Sequence, residues 1–150
     1  SPNGGFGGAF DGEYYLKPLA GEDGSGSVSA LRVADGSRVW HTSVPKPSCA
    51  DGESEMSCHS GNWAAASAVP GTVFTGSRNG VMRAFSTEDG EILWEYDTMK
   101  DFDTVNGVEG FGGAFGGAGV SIVDGMLYAG SGYAILFGAP GNVLLAFGLN

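Results

Sequence analysis

Ser29 to Trp40 reads SALRVADGSRVW, and Arg83 to Trp94 reads RAFSTEDGEILW. Laid together at a constant offset of 54, they match Ala30 with Ala84, Leu31 with Phe85, Asp35 with Asp89, Gly36 with Gly90, Val39 with Leu93 and Trp40 with Trp94. A third copy begins at Ala146-Phe147 and runs to Asn150. Each complete copy predicts a strand, a tight turn on Asp-Gly and a second strand closing on Trp. Asp tolerates left-handed backbone angles and Gly takes positive φ without steric cost, so the pair suits such a turn.

A second hairpin signal lies upstream of each copy: Phe10-Asp11-Gly12-Glu13-Tyr14-Tyr15, Val69-Pro70-Gly71-Thr72-Val73-Phe74 and Val123-Asp124-Gly125-Met126-Leu127-Tyr128. Each has an apolar residue, a two-residue turn, one variable position and two apolar residues. The unit is therefore four antiparallel strands in about 50 residues, the period of a β-propeller blade. A solenoid of helices is excluded, because no window keeps an apolar face at the 3.6 spacing. The expectation is an all-β chain, a single partial β-propeller of about three four-stranded antiparallel blades over residues 5–48, 62–103 and 116–150. A blade has two faces and needs a neighbour on each. Small residues at Ala30 and Ala84 would let inner strands approach near the axis, while Trp40 and Trp94 would fill the wider gaps between blades.

Composition bounds the partners. Seven Lys and Arg stand against seventeen Asp and Glu, a net charge of −10. That balance argues against nucleic acid, whose phosphates are bound by Lys and Arg, and against an anionic membrane surface. The chain is 42% apolar, too much for a disordered tail. Its longest apolar runs, Ala134 to Phe137 and Val143 to Phe147, are far short of the roughly 20 residues of a membrane-spanning helix. The 28 glycines follow no Gly-X-Y period, which excludes collagen and leaves short strands joined by many turns.

Cys49 and Cys58 bracket a polar loop, CADGESEMSC. Two thiols cannot make a four-ligand zinc site alone, and neither C-x-x-C nor C-x-x-C-H is present. The plain reading is one disulfide clipping the loop, which implies an extracellular, periplasmic or otherwise oxidising compartment; the alternative is two free thiols. The start at Ser1 fits a mature secreted product and an internal fragment equally.

The copies resemble the tryptophan-bearing repeat of quinoprotein dehydrogenases, roughly Ala-x-Asp-x-x-Thr-Gly-x-x-x-Trp. Ala84 to Trp94 keeps Ala, Gly and Trp, with Ser86 and Asp89 at the pattern's Asp and Thr; Ala30 to Trp40 departs at the same two places. The stretch Ala68 to Asn106, with Phe102-Asp103-Thr104-Val105-Asn106-Gly107-Val108, and the tail Gly132-Tyr133 with Pro140 to Phe147 resemble the C-terminal part of polyvinyl-alcohol-dehydrogenase-like proteins. The resemblance implies a propeller of seven or eight blades holding pyrroloquinoline quinone (PQQ) and calcium at its axis. In such enzymes a carboxylate base takes the alcohol proton while hydride passes to the quinone. It further implies Asn106 and Asn142 as cofactor contacts and Asp103 as a calcium ligand. About three blades cannot close around an axis, so either further blades or partner chains cover the open faces. Two functions follow: the C-terminal segment of a PQQ-dependent alcohol dehydrogenase, inactive as this chain alone, or a non-catalytic scaffold or assembly subunit of a larger complex.

Other constellations read as structure. Asp97, Asp101, Asp103 and Asn106 form an acidic loop, but counted from Asp101 the EF-hand's fifth position is Val105 and its twelfth is Gly112. The alternative is a solvated turn with Asn106-Gly107 at positive φ. Gly110 to Gly119, GFGGAFGGAG, nearly repeats Gly5 to Phe10, GFGGAF, and fails the dinucleotide pattern at Phe115. Both read as loops where backbone passes close to a neighbour. Asp51, Glu53, Glu55 and His59 read as a solvated loop, and His41, next to Trp40, points to the opposite face of its strand. No G-x-S-x-G elbow is present, and serine hydrolase, kinase and haem-carrier chemistry are excluded. Exposed Tyr14, Tyr15 and Tyr133 leave a weaker reading as a polymer-binding module.

Overall fold

In a computed structural model, residues 3–44, 46–49, 58–133 and 138–148 are described. Three antiparallel sheets follow one another along the chain. The first contains β1 (Asn3–Gly4), β2 (Ala9–Phe10), β3 (Tyr14–Ala20), β4 (Gly26–Arg32) and β5 (Arg38–Val44). The short β1 and β2 both pair with β3 and together make one interrupted strand, so the sheet is four strands wide. The second contains β6 (Ser67–Val69), β7 (Thr72–Gly76), β8 (Val81–Ser86) and β9 (Ile92–Asp97), in sequential order. A two-stranded arm follows, β10 (Asp101–Phe102) with β11 (Gly110–Phe111). Among the described residues the third sheet has three strands, β12 (Ser121–Val123), β13 (Met126–Ser131) and β14 (Val143–Gly148). There is no helix among the described residues, and the fold is an all-β run of propeller blades. No helix is long and apolar enough to cross a membrane among those residues.

The repeat of 54 is a repeat of register. Ala30 pairs with Trp40 and Ala84 with Trp94, and a bulge follows each pair, between Ala30 and Leu31 and between Ala84 and Phe85. The alanines thus lie on the third strand of each sheet, which is paired on both sides, directly opposite the indole. A small residue there leaves room for the largest side chain across the ladder. The first hairpin also differs from expectation: it turns one residue later, on Gly12-Glu13, with the Asp11 N–H donating to the Tyr14 carbonyl at 3.4 Å. The cause is the Asp11 carboxylate, whose Oδ1 accepts the amides of Glu13 (2.9 Å) and Tyr14 (2.8 Å). Leu16 therefore pairs with Ala30 as Phe74 pairs with Ala84 and Tyr128 with Ala146.

The Asp-Gly turns divide their work between the two residues. Gly36 and Gly90 alone take positive φ, 73° and 79°. Asp35 accepts the Ser37 amide and hydroxyl, and Asp89 accepts the Glu91 amide. These bonds hold the aspartates below the ordinary carboxylate range: the Ser37 hydroxyl leads for Asp35, the Glu91 amide for Asp89, and the Ser25 hydroxyl for Asp23 in the β3–β4 turn. A depressed folded-state pKa means the charged form is favoured by folding. The stabilisation is therefore complete above about pH 4 and is lost as pH falls through the lower folded values. Replacing all three with Asn is expected to flatten the fall of melting temperature between roughly pH 5 and 2; an unchanged acid limb would refute the assignment.

Two apolar clusters join the sheets. Leu16, Val28, Ala30, Trp40 and Val44 of the first meet Val73 and Phe85 of the second. Met82 of the second meets Ala64, Phe115, Leu127 and Ala129, with Phe74, Trp94, Ile122 and Phe147 packed around them. Trp40 also reaches across the first junction, where its Nε1–H donates to the Thr87 carbonyl at 2.9 Å and its ring lies on Gly90. Thr42 donates to the Gly90 carbonyl at 2.7 Å. Each sheet thus hides one face behind the next, as quasi-one-dimensional repeats do.

Candidate functional site

The arm carries the residues singled out from the family resemblance. It starts where β9 ends, and Asp101 pairs with Phe111 and Phe102 with Gly110. Its tip is built by Asn106, whose Oδ1 accepts from the Thr104 hydroxyl (2.8 Å) and the Val108 amide (3.2 Å), with Gly107 at φ 72°. The expected positive φ is therefore taken by Gly107 and not by Asn106. Against the arm lies an open cavity of about 660 Å³, bordered by Asp101, Asp103, Glu109, Phe102, Val108 and Phe111. The Lys100 ammonium sits 4.3 Å from the Tyr96 ring centroid and 5.6 Å from that of Phe102 at its root, within cation–π range.

Asn142 meets the arm from the other side of the chain. Its Oδ1 accepts the Phe111 amide at 2.9 Å, its Nδ2 donates to the Glu109 carbonyl at 3.0 Å, and its own N–H donates to the Phe111 carbonyl at 2.9 Å. The side chain acts as one more strand rung, and both ends of its amide are engaged. Asn142→Ala is expected to cost about 1 kcal/mol, the net worth of a typical hydrogen bond or two. Amide exchange should quicken at Phe111 and stay unchanged in β7 and β8; exchange that rises everywhere would contradict a clamp local to the arm.

Asp103 lies at the cavity rim beside Thr104. Among the described residues, no three His, Cys, Asp or Glu side chains converge as a metal site. The oxygens of Asn106 and Asn142 already accept backbone or hydroxyl hydrogens.

A second polar group, which the sequence pattern did not flag, sits between the first two sheets. Asn62 is fully buried; its N–H donates to Leu19 and its Nδ2 to the Ser27 carbonyl, while its Oδ1 has no partner. Ser60 donates to the Val44 carbonyl at 3.1 Å. The Arg78 guanidinium lies 5.1 Å from the Trp63 ring centroid, and burial pushes its pKa down. Nearby, Arg83 donates to Glu95 through Nε and to the Ser77 hydroxyl through Nη1 at 3.2 Å. The available signal was the polar spacing in Ser60-Gly61-Asn62-Trp63 and Ser77-Arg78, which resembles ordinary turn sequence.

The other motifs resolve structurally. A Cβ on Gly113 would lie 2.6 Å from the Pro140 carbonyl oxygen, and one on Gly8 the same distance from the Tyr15 hydroxyl. The glycine-rich copies are thus close backbone approaches. Cys49 and Cys58 are disulfide-bonded, with Cα atoms 5.6 Å apart. Asp51, Glu53 and Glu55 lie outside the described residues. His41 does face away from Trp40: it bonds Ser29 through Nδ1 at 2.8 Å and Ser43 through Nε2 at 3.2 Å. No carboxylate joins them in those bonds. Tyr14 packs on the first core cluster, so only Tyr15 and Tyr133 of the three tyrosines are exposed.

Comparison with known proteins adds a family model, described as outer membrane protein assembly factor BamB, that matches residues 24–133. A polyvinylalcohol dehydrogenase from Pseudomonas sp. is 42% identical over 136 residues, covering 85% of this chain and 21% of the relative. Another, from Sphingopyxis sp. (strain 113P3), is 35% identical over 158 residues, covering 95% and 24%. The chain spans about a fifth to a quarter of the length of these relatives. BamB from Moraxella catarrhalis superposes with a TM-score of 0.50 at 20% identity, over 82% of this chain and 33% of that one. The computationally designed Ika8 protein does so at 0.51 and 12%, over 94% and 32%. At those identities the two structures speak for the fold alone.

Proposed function

Because the chain belongs to the PQQ-repeat family whose model carries the BamB description, we propose that it is a segment of a quinone-dependent alcohol dehydrogenase acting on polyvinyl-alcohol-like substrates. The observation that carries this reading is the 42% identity to a polyvinylalcohol dehydrogenase over nearly the whole chain. When bound, PQQ supplies the hydride acceptor. The groups in this chain that suit a planar, carboxylate-bearing quinone are the Arg78 cation, the Trp63 ring face and the buried, unpartnered Asn62 Oδ1. The arm offers Asp103 toward calcium, and Asn106 and Asn142 toward the cofactor only after they release their bonds to Thr104 and Val108 and to Glu109 and Phe111. The chain alone is expected to be inactive, because a redox site needs orienting groups from several elements. The Cys49–Cys58 bond supports an extracellular, periplasmic or other oxidising compartment.

The test uses the complete protein. PQQ and calcium should change its absorption spectrum, and alcohol should then reduce an artificial acceptor dye. No spectral change on adding quinone would overturn the reading. One observation favours a second function, a non-catalytic scaffold of a protein complex: the matched family is described as an assembly factor. That reading expects co-purification with other chains, and a monomer in sizing experiments counts against it.

A further inference from the structure

We infer that the outer face of the β10–β11 arm is a binding site for a segment of hydroxylated polymer in which CHOH and CH2 groups alternate, away from the carbon that reacts. The inference rests on the proposed dehydrogenase reading and deepens it by saying where a long substrate is held.

Asp101 pairs with Phe111 and Phe102 with Gly110, so the first pair's side chains share one face of the arm and the second pair's the other. The second face is turned inward. A Cβ on Gly110 would lie 2.9 Å from the Val143 Cγ1, and the Phe102 ring takes the Lys100 ammonium. The first face is open. Phe111 is 44% exposed and Val108, nearer the tip, 59%. Asp103 and Glu109, two residues on toward the tip from Asp101 and Phe111, border the same cavity of about 660 Å³. None of the three carboxylates accepts a hydrogen bond or joins an ion pair among the described residues.

This lining selects its ligand by hydrogen-bond polarity. Carboxylates only accept, so the ligand must donate, and a hydroxyl gives them a short, strong bond. Phe111 and Val108 want apolar surface between those donors. A metal ion is a poor match, because no three such groups converge among the described residues. An organic cation would find the Lys100 ammonium already at the Tyr96 and Phe102 rings. A neutral chain with a hydroxyl on every second carbon supplies both the donors and the methylenes. The other open groove, about 470 Å³ beside Phe10, Tyr15 and Val33, is apolar and offers no carboxylate.

The arm also stands beside the groups that suit the quinone. At its root Thr98 donates its N–H and its hydroxyl to the Gly80 carbonyl, at 3.0 Å and 2.8 Å, and Gly80 closes the turn that carries Arg78. The face is fixed before any ligand arrives: Gly112 N–H donates to the Lys100 carbonyl at 3.0 Å, and Asn142 ties the backbone of Phe111 and Glu109. A preformed surface spares the ligand the cost of ordering it. Contacts to segments far from the reacting carbon can then hold a long chain in place.

The test follows amide hydrogen exchange of the complete protein by mass spectrometry, with no quinone added, as a fully hydrolysed vinyl alcohol oligomer is titrated in. Exchange should slow saturably at residues 101–111. Poly(vinyl methyl ether), which keeps the carbon chain but has no hydroxyl to donate, should bind at least about tenfold more weakly, as should dextran. Phe111→Ser, at an exposed side chain, should weaken the oligomer at least about tenfold while leaving exchange in β7 and β8 unchanged. Should that variant fail to fold, the ether comparison on the unsubstituted protein still decides. Protection absent from the arm, equal protection by the ether or by dextran, or protection only around Phe10, Tyr15 and Val33 would each overturn the site. Calcium or spermine protecting the arm where the oligomer does not would assign it to cations, also against the inference. Arm protection in a protein that oxidises no alcohol removes the dehydrogenase reading alone, and alcohol oxidation without arm protection removes this site alone.

Discussion

Trp40→Ala is expected to lower the unfolding free energy by about 3–5 kcal/mol, the range for removing a large aromatic from a packed core. The side chain is 9% exposed, contacts both the first and second sheets, and its N–H satisfies the Thr87 carbonyl. Truncation therefore leaves a cavity at the junction and an unsatisfied acceptor beside it. Trp94→Ala is the internal control. Trp94 is half-buried, stacks on Tyr96 at 5.8 Å and meets Phe147 edge-on at 5.3 Å, and its indole N–H makes no hydrogen bond among the described residues. Its loss should cost about 1–3 kcal/mol, since less area leaves water. Urea unfolding of the two variants checks the order. Equal losses would mean that the repeat tryptophans act within their own sheets and not across the junction.

Gly90→Ala and Gly36→Ala form the second contrast. Both glycines have φ in the left-handed region, where a Cβ costs about 1–2 kcal/mol. At Gly36 that backbone term is the whole effect. At Gly90 the new Cβ also lies 2.5 Å from the Trp40 ring and 2.5 Å from the Thr42 hydroxyl. Displacing a packed indole adds about 1–3 kcal/mol, so the junction variant should be the more damaged by roughly that amount. Differential scanning calorimetry reads the difference directly. If the two alanines cost the same, Trp40 is not seated on Gly90.

These contrasts show which parts of the fold are visible along the chain. The Asp-Gly turns, the two-residue hairpin turns at Pro70-Gly71 and Asp124-Gly125, and the Ala–Trp cross-strand pairs are all settled within a dozen residues. Turn chemistry and side-chain alternation are local, so the echo at 54 reports them faithfully. The first hairpin was misplaced by one residue because Phe10-Asp11-Gly12 has the letters of a two-residue turn. The competing bonds of the Asp11 carboxylate to Glu13 and Tyr14 carry no distinct sequence signal.

The candidate sites were less legible. Asn142 and the arm are more than thirty residues apart, and only their approach makes Asn142 a clamp. Asn62, Trp63 and Arg78 gather because the segment after Cys58 runs between two sheets. Nothing in their spacing says so.

By itself the sequence determined the class of structure. Its glycines, turn pairs and repeat demand short antiparallel strands in units of about 50 residues. Tertiary structure alone decided which carbonyl each indole meets, which amides are already spent on the fold, and which face remains open. The physical reason is range: a turn is closed by neighbours along the chain, whereas Trp40 and Thr87, 47 residues apart, find each other only when two sheets pack and exclude water between them.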